Sequence, residues 1–285
     1  MPLNIFFKLF YRSLILIGTI VLLGSCTSRS GQAKLRRENS NRILKKVNPD
    51  KNDNLEIKTL SAFYPTSTTK QIIKHKYFTV SYSEKDEQSE WVFYKVSSNN
   101  YNKQISRTND YREDPFVKTK SASPKDYYKS GYDMGHLAPA HAMAHNYNAM
   151  SESFYLSNIS PQKASFNRGI WRSLESKVEY WSSFRDSIYV VTGPILDNPI
   201  DQIGDNKVNV PRAFYKTLVS FKDGRAKGIA FILPNEKSSK SIYTYATSID
   251  EVERITKIDF YSQMDLNTQL NVESNKNIKK FISNK

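Results

Sequence analysis

Four histidines occur in the 285 residues, at positions 75, 136, 141 and 145, so histidine chemistry has a short set to draw on. His136 ends the run Asp133-Met134-Gly135-His136 and is followed by Leu137-Ala138-Pro139, a stretch poor in helix signals. Backbone geometry beside Gly135 can hold its ring in place. An imidazole with an ordinary pKa of about 6.5 is neutral at pH 7 and accepts a proton, as a general base must. A lone histidine is as readily a satisfied core or surface group. Further on stand Asn158-Ile159-Ser160-Pro161-Gln162 and Asn167-Arg168-Gly169-Ile170-Trp171, with Glu175 eight residues after Asn167. An asparagine amide oxygen suits Mg2+, whose shell is all oxygen and largely water. The same residue at a helix start serves equally as an N-cap. Eight helical residues turn through roughly 800°, which puts Asn167 and Glu175 two turns apart on neighbouring faces. Glu175 can then bond a metal's waters rather than the metal, or stand as a solvated helix carboxylate.

His136, His141 and His145 are also spaced for a zinc site, with two nitrogens on one helical face. That reading lacks the glutamate of His-Glu-x-x-His. One cysteine, Cys26, excludes an internal disulfide and a cysteine-rich zinc centre. The balance of 42 basic against 28 acidic side chains gives a net charge of +14, which attracts polyanions such as nucleic acid or an anionic surface. The apolar fraction of 39% and aromatic fraction of 13% exclude a disordered or collagenous chain.

The elements that must position these residues follow from periodicity. Residues 77–82 and 90–97 alternate as an antiparallel strand pair about a polar turn. Residues 141–154 read as a short irregular helix, and residues 154–162 as a strand running into a turn at Pro161. Residues 166–184 read as one helix whose apolar face carries Trp171, Leu174, Val178 and Trp181. A strand over 187–196 is closed by Gly193-Pro194. Residues 213–221 and 226–234 form a hairpin about Lys222-Asp223-Gly224, and 241–260 pass from strand to short helix. Regular crossover helices are missing, which favours one α+β domain with a mixed or antiparallel central sheet over a parallel βαβ fold.

The N-terminus is a targeting segment. Lys8 and Arg12 precede an apolar run over residues 14–23, ten residues where a bilayer span needs about 20. That suits the h-region of a signal peptide. It ends in Leu23-Gly24-Ser25-Cys26, which resembles a bacterial lipobox cleaved before the cysteine. The expected organisation is a signal peptide over 1–25, a polar tether over 26–59, a domain over 60–270 and a polar, basic tail over 271–285. The expected location is the envelope of a diderm bacterium, with a membrane anchor through lipidated Cys26 at the outer membrane or a periplasm-facing membrane. The exported part keeps its charge, because residues 1–25 hold only the two cations Lys8 and Arg12.

Taken in order, these pieces resemble a DNA/RNA non-specific endonuclease of the ββα-metal, or His-Me finger, type. The family's core motif is Asp-Arg-Gly-His, and the chain has Asp133-Met134-Gly135-His136. The blocks LAPA, YLSNISPQ, FNRGIWRSLE, VVTGPIL, VPRAFYK and GIAFILPNE match in order and spacing, over roughly residues 75–260. The segment SRTNDYREDP resembles the one that carries a phosphate-binding arginine, which maps onto Arg107. The resemblance implies a ββα-metal fold with a central sheet flanked by helices. It implies His136 as general base, Asn167 as sole protein ligand of a hydrated Mg2+ (with Mn2+ as an alternative), and Glu175 as the residue orienting the metal's waters. Asn158 would support the site by hydrogen bonds, and Arg107 would grip a phosphate. The implied activity is sequence-non-specific hydrolysis of DNA and RNA that leaves 5′-phosphate ends. Met134 departs from the pattern, since arginine is usual there and methionine pairs with neither phosphate nor carboxylate; Lys163 or Arg168 could supply the charge. The competing readings are a catalytically weak or inactive nucleic-acid-binding lipoprotein, and a lipoprotein of unrelated function that leaves the ordered motifs unexplained.

Overall fold

The computed structural model describes residues 63–283 except 103, 104 and 223. The signal peptide, Cys26 and the tether lie outside the described residues. The strands are β1 (Ile72–Lys74), β2 (Thr79–Ser83), β3 (Gln88–Val96), β4 (Asp133–His136), β5 (Ile159–Gln162), β6 (Ser187–Pro194), β7 (Asp201–Ile203), β8 (Val208–Val210), β9 (Ala213–Lys222), β10 (Arg225–Pro234) and β11 (Ala246–Thr247). The α-helices are α1 (Pro124–Tyr127), α2 (Tyr147–Glu152), α3 (Arg172–Ser182), α4 (Ile249–Thr256), α5 (Leu266–Glu273) and α6 (Ile278–Ile282).

Seven strands form the main sheet in the order β1-β2-β3-β6-β9-β10-β11, and every neighbouring pair is antiparallel. Side chains alternate across a strand, so one row of each faces each side. Val92, Tyr94 and Val96 of β3, Ile188 and Val190 of β6, and Phe214 and Leu218 of β9 share one core cluster with Trp171, Leu174, Val178 and Trp181. The opposite face is covered too. Phe63 stacks on Tyr189 at 4.3 Å, and Tyr64 meets Phe93 edge-on at 4.9 Å. The alternation expected of residues 90–97 gives way to burial on both faces, with Trp91, Val92, Phe93 and Tyr94 of β3 apolar in succession.

The β9–β10 hairpin forms as expected, with Lys222 opposite Arg225 and Gly224 at φ +71°. Three expectations change. Pro161 does not turn the chain but lies within β5, opposite Met134. A two-stranded ribbon has an open edge on each strand, where a missing N–H leaves no partner unsatisfied. The helix over 166–184 is broken: Phe166–Trp171 winds as a wide turn with Gly169 at φ −104°, ψ −110°, and the regular α3 begins at Arg172. The strand expected after 241 shrinks to the two residues of β11, preceded by a tight helical turn over Ile242–Tyr245. Residues 272–283, polar and basic by composition, are folded. Phe281 is fully buried, edge-on to Trp181 at 5.6 Å, and Asn275 Nδ2 donates to the Gly228 carbonyl at 2.7 Å.

Candidate active site

β4 and β5 form a separate two-stranded ribbon that pairs Asp133 with Gln162, Gly135 with Ser160 and His136 with Ile159. With α3 following it in sequence, the ribbon makes the ββα unit implied by the resemblance. Gly135 makes room: a Cβ there would lie 2.2 Å from the side chain of the buried Gln162, which would have to shift. The ribbon is tied to the main sheet through Ser160 Oγ, which donates to Gln88 Oε1 at 2.6 Å, and Ser89 Oγ, which donates to the Ser157 carbonyl at 2.6 Å.

Asn158 fixes the chain just after His136. Its Oδ1 accepts from the Ala138 amide at 2.8 Å, and its Nδ2 donates to the carbonyls of Ala138 at 2.9 Å and Ser153 at 2.8 Å. Its own carbonyl accepts from the Leu137 amide at 2.9 Å. Asn158 is fully buried and does not reach the cleft. These bonds fix the backbone that directly follows His136.

A cleft of about 820 Å3 opens between the ribbon, the wide turn and α3, and it is lined by His136, Asn167, Glu175 and Arg107 together with Arg168 and Arg172. Residues spread over 68 positions of sequence thus meet in one place. The ring of His136 is edge-on to Phe154 at 4.9 Å, and its Nε2 is buried without a protein hydrogen-bond partner among the described residues. Burial, and after it the positive charge of Arg107, push its pKa down to about 3, so the ring is neutral in this state. Arg107 lies over the Phe154 ring at 5.1 Å with its head exposed to the cleft.

Asn167 does not cap the helix. Its Nδ2 donates to Asp133 Oδ2 at 2.8 Å, which leaves Oδ1 as the end available to a cation. Arg168 grips the same carboxylate in a fork, Nε to Oδ2 at 2.9 Å and the terminal nitrogen to Oδ1 at 2.7 Å. Glu175 lies in the first turn of α3, where burial pushes its pKa up and the charges of Lys216, Arg107 and Arg172 pull it back. Lys216 is fully buried in β9, with its ammonium 4.6 Å from the Trp171 ring and 3.3 Å from Tyr94 Oη; burial pushes its pKa down and Glu175 opposes the shift.

Asp133 and Lys216 were visible in the sequence only as members of matching blocks, with no role attached. The cue for Lys216 was a lysine in the inward row of an apolar strand, between Phe214 and Leu218. His141 lines the cleft and sits 3.4 Å from Glu179, but among the described residues no metal-competent group gathers His136, His141 and His145. Lys163 is not among the residues lining the cleft.

The sequence pattern of the family described as DNA/RNA non-specific endonuclease matches residues 57–267. The chain is 29% identical to nuclease C1 of Cunninghamella echinulata var. echinulata over 72% of this chain and 88% of that one. It is 28% identical to a nuclease of Nostoc sp. over 81% of this chain and 88% of that one. Among solved structures, the complex of EndoG with EndoGI is similar with a TM-score of 0.67 and 28% identity, covering 72% of this chain and 90% of that one.

Proposed function

Since the chain belongs to the DNA/RNA non-specific endonuclease family, we propose that it hydrolyses phosphodiester bonds of DNA and RNA with Mg2+ bound at Asn167, His136 as general base and 5′-phosphate ends as product. The observation that carries this reading is the meeting of His136, Asn167, Glu175 and Arg107 in one cleft.

The donor set fits a hydrated Mg2+. It offers one neutral oxygen, Asn167 Oδ1, oriented by the bond from Nδ2 to Asp133, and a carboxylate nearby at Glu175. That leaves most of the shell to water, as Mg2+ prefers, and both proposed donors are the hard oxygens that such an ion favours. When bound, the ion supplies charge neutralisation at the phosphate and at the departing 3′ oxygen. The remaining work belongs to the chain. Arg107 holds the phosphate, and a phosphate against Arg107 cancels one of the two causes that depress His136. His136, neutral and with an unpartnered nitrogen, takes the proton of the attacking water. Glu175 orients water about the metal through hydrogen bonds.

In this reading the guanidinium groups and the hydrated cation are directed at sugar and phosphate, contacts that carry no base information. The lipobox-like Leu23-Gly24-Ser25-Cys26 supports a separate proposal, an envelope location in a diderm bacterium through lipidated Cys26. The direct test is incubation of the purified domain with plasmid and with RNA, with and without Mg2+. Degradation of both substrates only when the metal is present supports the reading. Binding without cleavage would instead favour an inactive nucleic-acid-binding protein.

A further inference from the structure

Met134 stands where the Asp-Arg-Gly-His pattern has its arginine. We propose that Arg168, seated on Asp133, supplies the phosphate-directed cation that this pattern carries one residue after its aspartate. The inference rests on the nuclease reading above and names a further substrate-binding residue for it.

Three observations carry it. First, position 134 holds no charge and has another occupation. Met134 pairs with Pro161 in the ribbon and packs, with Tyr111 and Tyr132, against the apolar cluster of Ala122, Leu156 and Ile159. Second, Arg168 reaches the same aspartate from the opposite wall. It leaves the wide turn ahead of α3 and binds Asp133 through Nε and one terminal nitrogen. A guanidinium has five N–H donors, and this fork uses two, so three remain for a ligand. The side chain is 72% exposed while Asp133 is 17% exposed, so the carboxylate is the recessed seat and the guanidinium the exposed head at the cleft. Third, Asp133 also holds Asn167, which places the cation one residue from the proposed metal ligand. A planar guanidinium pinned by two bonds is pre-oriented for bidentate contact with phosphate oxygens, which an ammonium is not. Lys163, the other cation that could have replaced the arginine, does not line the cleft.

The test uses Arg168→Ala, Arg168→Lys, Met134→Arg and the double variant Arg168→Ala/Met134→Arg, with kcat/KM on a short duplex, Mg2+ titrations and duplex binding in EDTA across salt. Arg168 is exposed, so its variants leave the fold intact; thermal melts check the Met134 variants. Loss of one charge-assisted contact predicts a fall of roughly 10- to 100-fold in kcat/KM for Arg168→Ala. The Mg2+ concentration at half activity should not move, and Arg168→Lys should recover only part of the loss. Met134→Arg should bring no gain in the wild type but recover at least about tenfold in the Arg168→Ala background. In EDTA, Arg168→Ala should lower the slope of log K against log salt by about one phosphate. Three results would overturn the proposal: Arg168→Ala within twofold of wild type, a loss that saturating Mg2+ fully restores, or an equal gain from Met134→Arg in both backgrounds. A wild type that does not cleave sinks the nuclease reading alone. The salt slope then decides the phosphate contact, and an unchanged slope in Arg168→Ala ends it.

Discussion

Asp133 holds Asn167 by the nitrogen of its amide: Nδ2 donates to Oδ2 across 2.8 Å, so this bond leaves the amide oxygen unengaged. One carboxylate therefore orients the amide proposed to hold the metal, although 34 residues separate the two in sequence. EDTA should abolish cleavage and Mg2+ restore it. Asn167→Ala should weaken metal binding most, because it removes the proposed direct ligand. Asp133→Asn keeps the shape but loses the charge that pins the amide, and should raise the Mg2+ concentration for half activity by roughly 10- to 100-fold. Glu175→Ala should lower the rate and raise the metal requirement. Activity measured against free Mg2+ for each variant decides among these roles, and metal-independent cleavage would refute them all.

His136→Ala should lose most hydrolysis and still bind DNA, and plasmid cleavage at the wild-type rate would end its assignment as the base. The depressed pKa makes a separate prediction. In the metal-free protein the ring signals of His136, followed by NMR, should not titrate between pH 8 and 5, since burial and Arg107 hold its pKa at about 3. The unfolded chain binds that proton near pH 6.5 and the folded chain does not. The contribution of this group to stability is therefore fully present above pH 6.5, shrinks as pH falls from there, and is lost by about pH 3. Within that window the slope is about 1.4 kcal/mol per pH unit. Thermal melts of wild type and His136→Ala should diverge in that sense, the wild type losing more stability on acidification. Parallel curves would show that the ring is charged in the folded state.

Asn158 is tested through stability. Alanine there leaves the Ala138 amide and the carbonyls of Ala138 and Ser153 without their side-chain partner in a buried setting. That costs about 2–4 kcal/mol on the scale of buried unpaired polar groups. Asn158→Asp should cost more, because it sets a carboxylate against two carbonyls. Urea melts measure both, and a change below about 0.5 kcal/mol for Asn158→Ala would remove it from the support of His136.

Much of this arrangement was legible in order and little of it in contact. Runs rich in β-branched and aromatic residues in β3, β6, β9 and β10 and the turn at Gly224 marked the sheet, because strand composition and a glycine turn are local signals. The break at Gly169 was not legible, since the apolar spacing of Trp171, Leu174, Val178 and Trp181 belongs to α3 and says nothing of the turn before it. The N-cap alternative for Asn167 falls for the same reason: the regular helix starts five residues later and the amide is claimed by Asp133. Contacts such as Arg168 on Asp133, or Lys216 beneath Trp171, join residues that only the folded chain brings together, and periodicity carries no record of them.

Location is tested at Cys26, outside the described residues. Cys26→Ala should release the protein to a soluble fraction or block its maturation. An unchanged membrane fraction would make the apolar run over 14–23 the anchor instead.

Substrate breadth follows from what lines the cleft. Arg107, Arg168 and Arg172 present three guanidinium groups to it. If each replaces one condensed counterion on duplex DNA, log K should fall against log salt with a slope of at least about −2.7, and of about −2.1 on single strands. Affinity should also be nearly the same for unrelated sequences of equal length, because these contacts carry no base information. End-labelled duplexes of mixed sequence should yield a ladder, and single-stranded DNA and RNA should be cleaved as well. The slope counts charge and the ladder reports base discrimination, so the two measurements separate distinct failures. A shallow slope with an even ladder would mean that the guanidinium groups are not all engaged. A steep slope with one sharp cleavage site would mean that the protein reads bases or local duplex shape through residues outside this cleft, and the base-blind reading would fall.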